Sequence, residues 1–173
     1  MHSPSLLPSI AIRPETPADE PAIEILGKNT FGPGRFARAA FRLREGVASD
    51  PKLSFVAEIN GRIGGSVKLT HVVIGDKRAL VLGPLMIDPA YRNMGIGREL
   101  MNRSILEARL QGHRYIVLVG DFAYYGPFGF DRIELGKIRF PGPADPARIL
   151  GCELIKGAGE GYSGIVRRCY ETQ

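Results

Sequence analysis

Tryptophan is absent from the sequence and cysteine is scarce, with Cys152 and Cys169 its only thiols. Two cysteines without metal-ligand spacing make neither a disulfide framework nor a metal site, and they suit a reducing cytoplasm. Long apolar runs are missing too. Stretches such as Ala79–Leu82 are far too short to cross a bilayer, so no membrane partner is expected. The opening Met1-His2-Ser3-Pro4 has no basic segment ahead of a sustained apolar run, and Pro4 and Pro8 interrupt it, so it does not read as a signal peptide. No internal repeat or low-complexity tract appears. What is present is 173 residues with 44% hydrophobic and 24% charged content, ordinary values for a globular chain. One domain over residues 1–173 is expected, burying about two thirds of its unfolded surface.

The net charge of +5 is compatible with an anionic cofactor, an acidic substrate, nucleic acid or simple solubility. Its one local concentration, Arg35, Arg38, Arg42 and Arg44, falls on a predicted helix whose Phe36, Ala40, Leu43 and Val47 recur at helical spacing. A solvated helix face explains these arginines better than a nucleic-acid patch.

Along the chain, Ile10–Arg13 reads as an opening strand. Thr16-Pro17-Ala18-Asp19 follows as a helix start, with Ile23, Ile25 and Leu26 as the helix's apolar side. Gly32-Pro33-Gly34 separates it from the arginine helix, which Gly46 closes. Leu53–Glu58, the Asn60-Gly61 turn, Arg62–Ile74, the Gly75-Asp76 turn and Ala79–Ile87 then predict antiparallel hairpins. The third strand is apolar throughout except for Gly83-Pro84, which implies a central position with a bulge or splay where Pro84 lacks an amide donor. Arg98–Leu110 predicts a helix burying Leu100, Met101, Ser104, Ile105 and Ala108, with Gly112 as its stop. Tyr115–Val119 is a buried strand after it, making a parallel crossover unit. Arg132–Phe140, Ile149–Ile155 and Ser163–Cys169 complete a mixed α/β sheet, antiparallel at its start with a parallel pair in the middle.

Chemistry concentrates in Asp88-Pro89-Ala90-Tyr91-Arg92-Asn93-Met94-Gly95-Ile96-Gly97. A buried strand ends in a glycine-bearing loop that opens directly onto a helix. The first helix amides lack internal partners, the dipole adds partial positive charge, and Gly95 and Gly97 permit close backbone approach. These features make a cradle for a phosphate or pyrophosphate. No lysine or Walker spacing follows Gly97, and Leu100 stands where a dinucleotide fingerprint needs a small residue, so both of those phosphate loops are excluded.

Arg92-x-x-Gly95-x-Gly97 instead resembles the pyrophosphate-binding signature of the GCN5-related N-acetyltransferase (GNAT) family. A second motif strengthens the resemblance: in Tyr124-Tyr125-Gly126-Pro127-Phe128-Gly129-Phe130, Tyr125 stands four residues before a Gly-Phe pair, as in that family. The resemblance covers about residues 10–135, with additional strands over about 136–170. The Gly-Pro-Leu strand and Pro141-Gly142-Pro143 point to an uncharacterised bacterial subgroup.

The resemblance implies a splayed parallel strand pair that takes up acetyl-CoA, without a metal. The backbone of Leu85, Met86 and Ile87 would pair with the pantetheine arm. Arg92, Asn93, Met94, Gly95, Ile96, Gly97 and Arg98 would hold the pyrophosphate. Tyr125 would protonate the leaving thiolate as an amine, on a small molecule or a protein, attacks the thioester; Tyr124 is then the structural neighbour. Packing beside Phe128 and Phe130 is the competing role for Tyr125. Phe31, on the segment Asn29–Phe36 joining the first two helices, and Asp121 would line the acceptor side. The family's glutamate on a central strand has no counterpart in Ala79–Ile87 or Tyr115–Val119, which leaves Asp121 or His71 as the alternative base and keeps open a non-catalytic acyl-CoA sensor. The resemblance also allows a homodimer.

Overall fold

The computed structural model describes residues 8–31 and 48–169; the helix predicted over 35–47 and its Gly32-Pro33-Gly34 boundary lie outside the described residues. Strand β1 (Ile10–Pro14) leads to helix α1 (Glu20–Phe31). The entry to α1 is fixed by Asp19, whose carboxylate accepts from the Thr16 amide at 2.7 Å and pairs with Arg13 at 2.8 Å. Strands β2 (Phe55–Ile59), β3 (Arg62–Ile74) and β4 (Lys77–Ile87) then run antiparallel. Asn60 and Gly61 both adopt left-handed angles at the first turn, as a two-residue hairpin requires.

Helix α2 (Ile96–Leu110) crosses to β5 (Tyr115–Val119), which lies parallel to β4. A short helix, α3 (Phe122–Tyr125), is followed by β6 (Phe130–Arg132), β7 (Ile138–Arg139), β8 (Ile149–Glu153) and β9 (Gly164–Arg168). The main sheet runs β1-β2-β3-β4-β5-β8-β6. At 13 residues, β3 extends past the end of β2, and β9 pairs with that extension at Val72–Ile74, with β7 beside it. The expected mixed sheet is present. The segment 132–140 is not one strand, however, because a turn at Gly136 (φ 83°) divides it, closed by Lys137 N donating to Glu134 O at 3.1 Å.

One sheet face packs on α2, whose Ile96, Leu100, Met101, Ile105 and Ala108 meet Phe55, Leu69, Leu80, Leu82 and Leu118. Each such large apolar side chain contributes roughly 1.5–3 kcal/mol on burial. The opposite face is shared. Ile23 and Leu26 of α1 cover Val56 and Met86, and the C-terminal strands cover Val72, Val81, Tyr115 and Val117. Ile25, expected beside Ile23, is 58% exposed; two residues turn a helix by about 200°, so the pair cannot share a face. No helix among the described residues is long and apolar enough to cross a membrane.

Candidate active site

Strands β4 and β5 pair at Leu80–Ile116 and Val81–Val117, and then separate. Just beyond, β4 carries the cis Gly83-Pro84 peptide. Leu82 stands opposite Leu69 and Leu85 opposite Val67, so β4 takes one more residue than β3 to cover the same span. That is the bulge expected from a proline that cannot donate to the ladder. The extra residue also reverses the alternation of side chains. Leu80 and Leu82 face α2 before it, Leu85 and Ile87 face α2 after it, and Met86 is turned beneath α1.

Peptide groups follow the same parity. Asp88 N donates to Gly64 O at 2.8 Å, so Met86, two residues back, is also committed to β3, while Leu85 and Ile87 present their amides and carbonyls to the β5 side. On β5, Gly120 N donates to Arg148 O at 2.9 Å, which leaves Val119 turned toward β4. Two strand edges with unpaired backbone therefore face each other across a wedge.

The loop from β4 to α2 forms the mouth of this wedge. Asp88 accepts from Ala90 N at 2.9 Å and caps a short turn over Pro89–Tyr91. Asn93 (φ 65°) and Gly95 (φ 79°) then take left-handed angles that bring the chain round into the helix. Gly95 is the N-cap residue and has no side chain to offer, so the amides of Ile96, Gly97 and Arg98 are not capped from within. Buried Ile96 anchors this turn in the core, whereas Arg92, Asn93, Met94 and Arg98 are exposed around it. The result is an open helix terminus with positive partial charge, flanked by two arginines.

The other side of the wedge is built by the continuation of β5. Asp121 accepts from Ala123 N at 3.2 Å and starts α3, and Gly129 (φ 99°) turns the chain into β6. Tyr125 packs against Gly120: a Cβ there would stand 2.5 Å from the Tyr125 ring, so this position needs glycine. The ring is held edge-on by Tyr124 at 4.8 Å and by Phe130 at 6.0 Å. Tyr124 reaches across the wedge, its hydroxyl 2.6 Å from where a Cβ on Gly97 would be. Partial burial raises the Tyr124 pKa, so the phenol stays protonated.

The wedge thus brings together the backbone of Leu85 and Ile87, the loop 92–98 and Tyr125. Phe31 is the last residue of α1, and its side chain lies outside the described residues. Asp121 serves as a helix cap and is exposed beside the wedge. His71 is elsewhere. It stands opposite Leu80, bonded through Nε2 to Asp50 Oδ2 at 2.7 Å, with the His113 ring 5.3 Å away. Sequence reasoning missed the span from Tyr124 to Gly97 and the platform at Gly120. The signal was there in outline: a glycine in a helix's first turn leaves room for another group to come close to the backbone.

The family model described as Acetyltransferase (GNAT) family matches residues 22–130. The uncharacterized N-acetyltransferase YhbS of Escherichia coli K12 is 29% identical over 159 residues, 90% of this chain and 93% of that protein. The crystal structure of Escherichia coli YhbS in complex with CoA matches with a TM-score of 0.80 at 27% identity, covering 97% of this chain and 94% of that one. A GNAT family acetyltransferase from Brucella melitensis in complex with acetyl-CoA matches with a TM-score of 0.62 at 28% identity, over 87% of this chain and 97% of that one.

Proposed function

Because the chain belongs to the acetyltransferase (GNAT) family, we propose that it transfers an acetyl group from acetyl-CoA to a primary amine by direct attack on the thioester. The observation that carries this reading is the wedge: two unpaired strand edges with an open helix terminus at one side and a fixed tyrosine at the other. The residues present suit the cofactor. Leu85 and Ile87 offer peptide groups to the amides of a pantetheine arm, which would add to the sheet as a further strand. Met86 supports them from below by packing against α1 rather than by touching the ligand. The amides of Ile96, Gly97 and Arg98 would hold the diphosphate, with charge from Arg92 and Arg98. Each such interaction with the helix terminus is worth roughly 0.3–2 kcal/mol.

Acetyl-CoA supplies the electrophilic carbonyl, and coenzyme A leaves as a thiolate. Tyr125 hands its phenolic proton to that sulfur as the new carbon–nitrogen bond forms and the carbon–sulfur bond breaks. A phenol of pKa about 10 protonates a thiolate whose conjugate acid has a pKa of about 8.5 only when position favours it, and the Gly120 platform with the edge-on Tyr124 and Phe130 rings supplies that position. The amine must lose a proton first, which costs a lysine-like group about 4.6 kcal/mol at pH 7. Neither β4 nor β5 carries a carboxylate or histidine. Solvent therefore takes the amine proton, and the exposed Asp121 attracts the cationic acceptor toward the β5 side.

The lack of a carboxylate or histidine on β4 and β5 favours a second reading, an acyl-CoA sensor on this fold. One assay separates the two: a panel of primary amines with acetyl-CoA, followed by thiol release. Amine-dependent thiol release supports the enzyme, with a rate that keeps rising with pH toward the acceptor's own pKa because neither β4 nor β5 carries a base to level it off. Tight CoA binding without turnover of any amine supports the sensor.

A further inference from the structure

Resting on the acetyl-CoA reading above, we propose that Tyr124 is a second functional tyrosine, whose phenolic O–H donates to the diphosphate held at the first turn of α2. Three observations carry this. The residue is rooted in α3, on the β5 side of the wedge, yet its hydroxyl occupies the space where a side chain on Gly97 would be, 2.6 Å from that Cβ position. Its ring is fixed at two points, edge-on to Tyr125 at 4.8 Å and tilted against Phe128 at 5.7 Å, so the hydroxyl is directed rather than free to swing. The residue is nevertheless 43% exposed, and among the described residues no acceptor takes its proton.

A donor so placed completes the cradle from the side that the helix amides cannot reach. They approach an anion from α2; Tyr124 approaches it from α3 and closes the mouth of the wedge. Burial keeps the phenol protonated, so it donates without adding charge. The two adjacent tyrosines then divide the ligand between them, Tyr124 at its diphosphate and Tyr125 at its thioester. The arrangement also explains why residue 97 is glycine: any side chain there displaces the Tyr124 hydroxyl as well as crowding the amides.

Binding of CoA and of pantetheine, which lacks the diphosphate, tests the assignment by calorimetric or competition titration. Tyr124→Phe should weaken CoA binding by roughly tenfold to a hundredfold, the usual effect of losing one hydrogen bond to a charged group. Pantetheine affinity and the melting temperature of the unliganded protein should not move. Gly97→Ala gives an independent reading. It should weaken CoA in the wild-type background and much less in the Tyr124→Phe background, because the displaced hydroxyl is already gone. Equal CoA affinity in wild type and Tyr124→Phe would overturn the proposal, as would parallel losses for CoA and pantetheine or additive effects in the double variant. Should Tyr124→Phe fail to fold, full CoA affinity in Gly97→Ala would overturn it alone. Wild-type protein that does not bind CoA would instead remove the acetyl-CoA reading itself.

Discussion

The two ends of α2 are built in opposite ways. At its C-terminus the chain is tied back onto the helix and its neighbours. Gln111 N, Gly112 N and His113 N return to the carbonyls of Glu107, Arg109 and Ala108, and the Gln111 side chain ties the helix to Lys52 O at 3.2 Å. Beside it, Asp50 accepts from His71 at 2.7 Å and from Lys52 N at 2.9 Å. At the N-terminus the cap is a glycine, the first amides are left for another partner, and the adjoining strands part instead of pairing. A closed end of this kind contributes stability. An open end gives some of it up and gains a place for a ligand.

The largest effect that would sharpen this contrast belongs to the open end. Tyr125→Phe keeps the ring on Gly120, so folding and CoA binding should persist while turnover falls by roughly 10²–10⁴. Full activity would contradict its role as the acid, and a joint loss of stability and CoA binding would return Tyr125 to a packing role. Next, Gly97→Val should abolish the rise in melting temperature that acetyl-CoA produces by binding the native state. An unchanged rise in a folded variant would break the contrast at its open end.

At the closed end the expected outcomes reverse. Asp50→Ala should cost about 1–3 kcal/mol of stability by leaving buried His71 without its acceptor, with CoA affinity unaltered. Acid should act on the same cluster. Burial works against the Asp50 carboxylate, but the bonds from His71 and Lys52 N outweigh it and hold its pKa below the ordinary 3.8. Burial first, and then the neighbouring His71, hold His113 below 6.5. In both cases the unfolded chain binds protons more readily, so stability falls as the pH falls. The decline begins below 6.5, where unfolded histidine takes up its proton, and steepens below 3.8 as Asp50 protonates. Melting temperatures across this range should decline more steeply in wild type than in Asp50→Ala below pH 4; parallel profiles would break the assignment. The smallest effect is expected from Phe31→Ala, a few-fold rise in the acceptor's KM without change in acetyl-CoA affinity. Equal shifts in both would make Phe31 structural.

How far each feature could be read from the sequence depended on how local its cause is. The hairpin turns at Asn60-Gly61 and Gly75, the crossover through α2 and the interruption at Pro84 follow from residues that act on their own backbone. So does the open terminus at Gly95. The features that were not legible have causes distant in sequence or lost in averaging. The bulge reverses which side of β4 is free, so Leu85 and Ile87 face the wedge and Met86 does not. Ile25 sits in an apolar stretch but on the outward side of α1. The reach of Tyr124 to Gly97 joins residues on two elements that meet only after the sheet has formed.

A CoA site at the open end of α2, with the wedge beside it, and a structural closed end differ in what ligand binding should perturb. Titrating isotope-labelled protein with CoA and following backbone amides by NMR tests this difference most directly. Large shifts are expected at Leu85, Ile87, Ile96, Gly97 and Arg98, with Asp50, Gln111 and His113 nearly unmoved. Shifts centred on the Asp50–His113 cluster, or none at the first turn of α2 under saturating CoA, would contradict it.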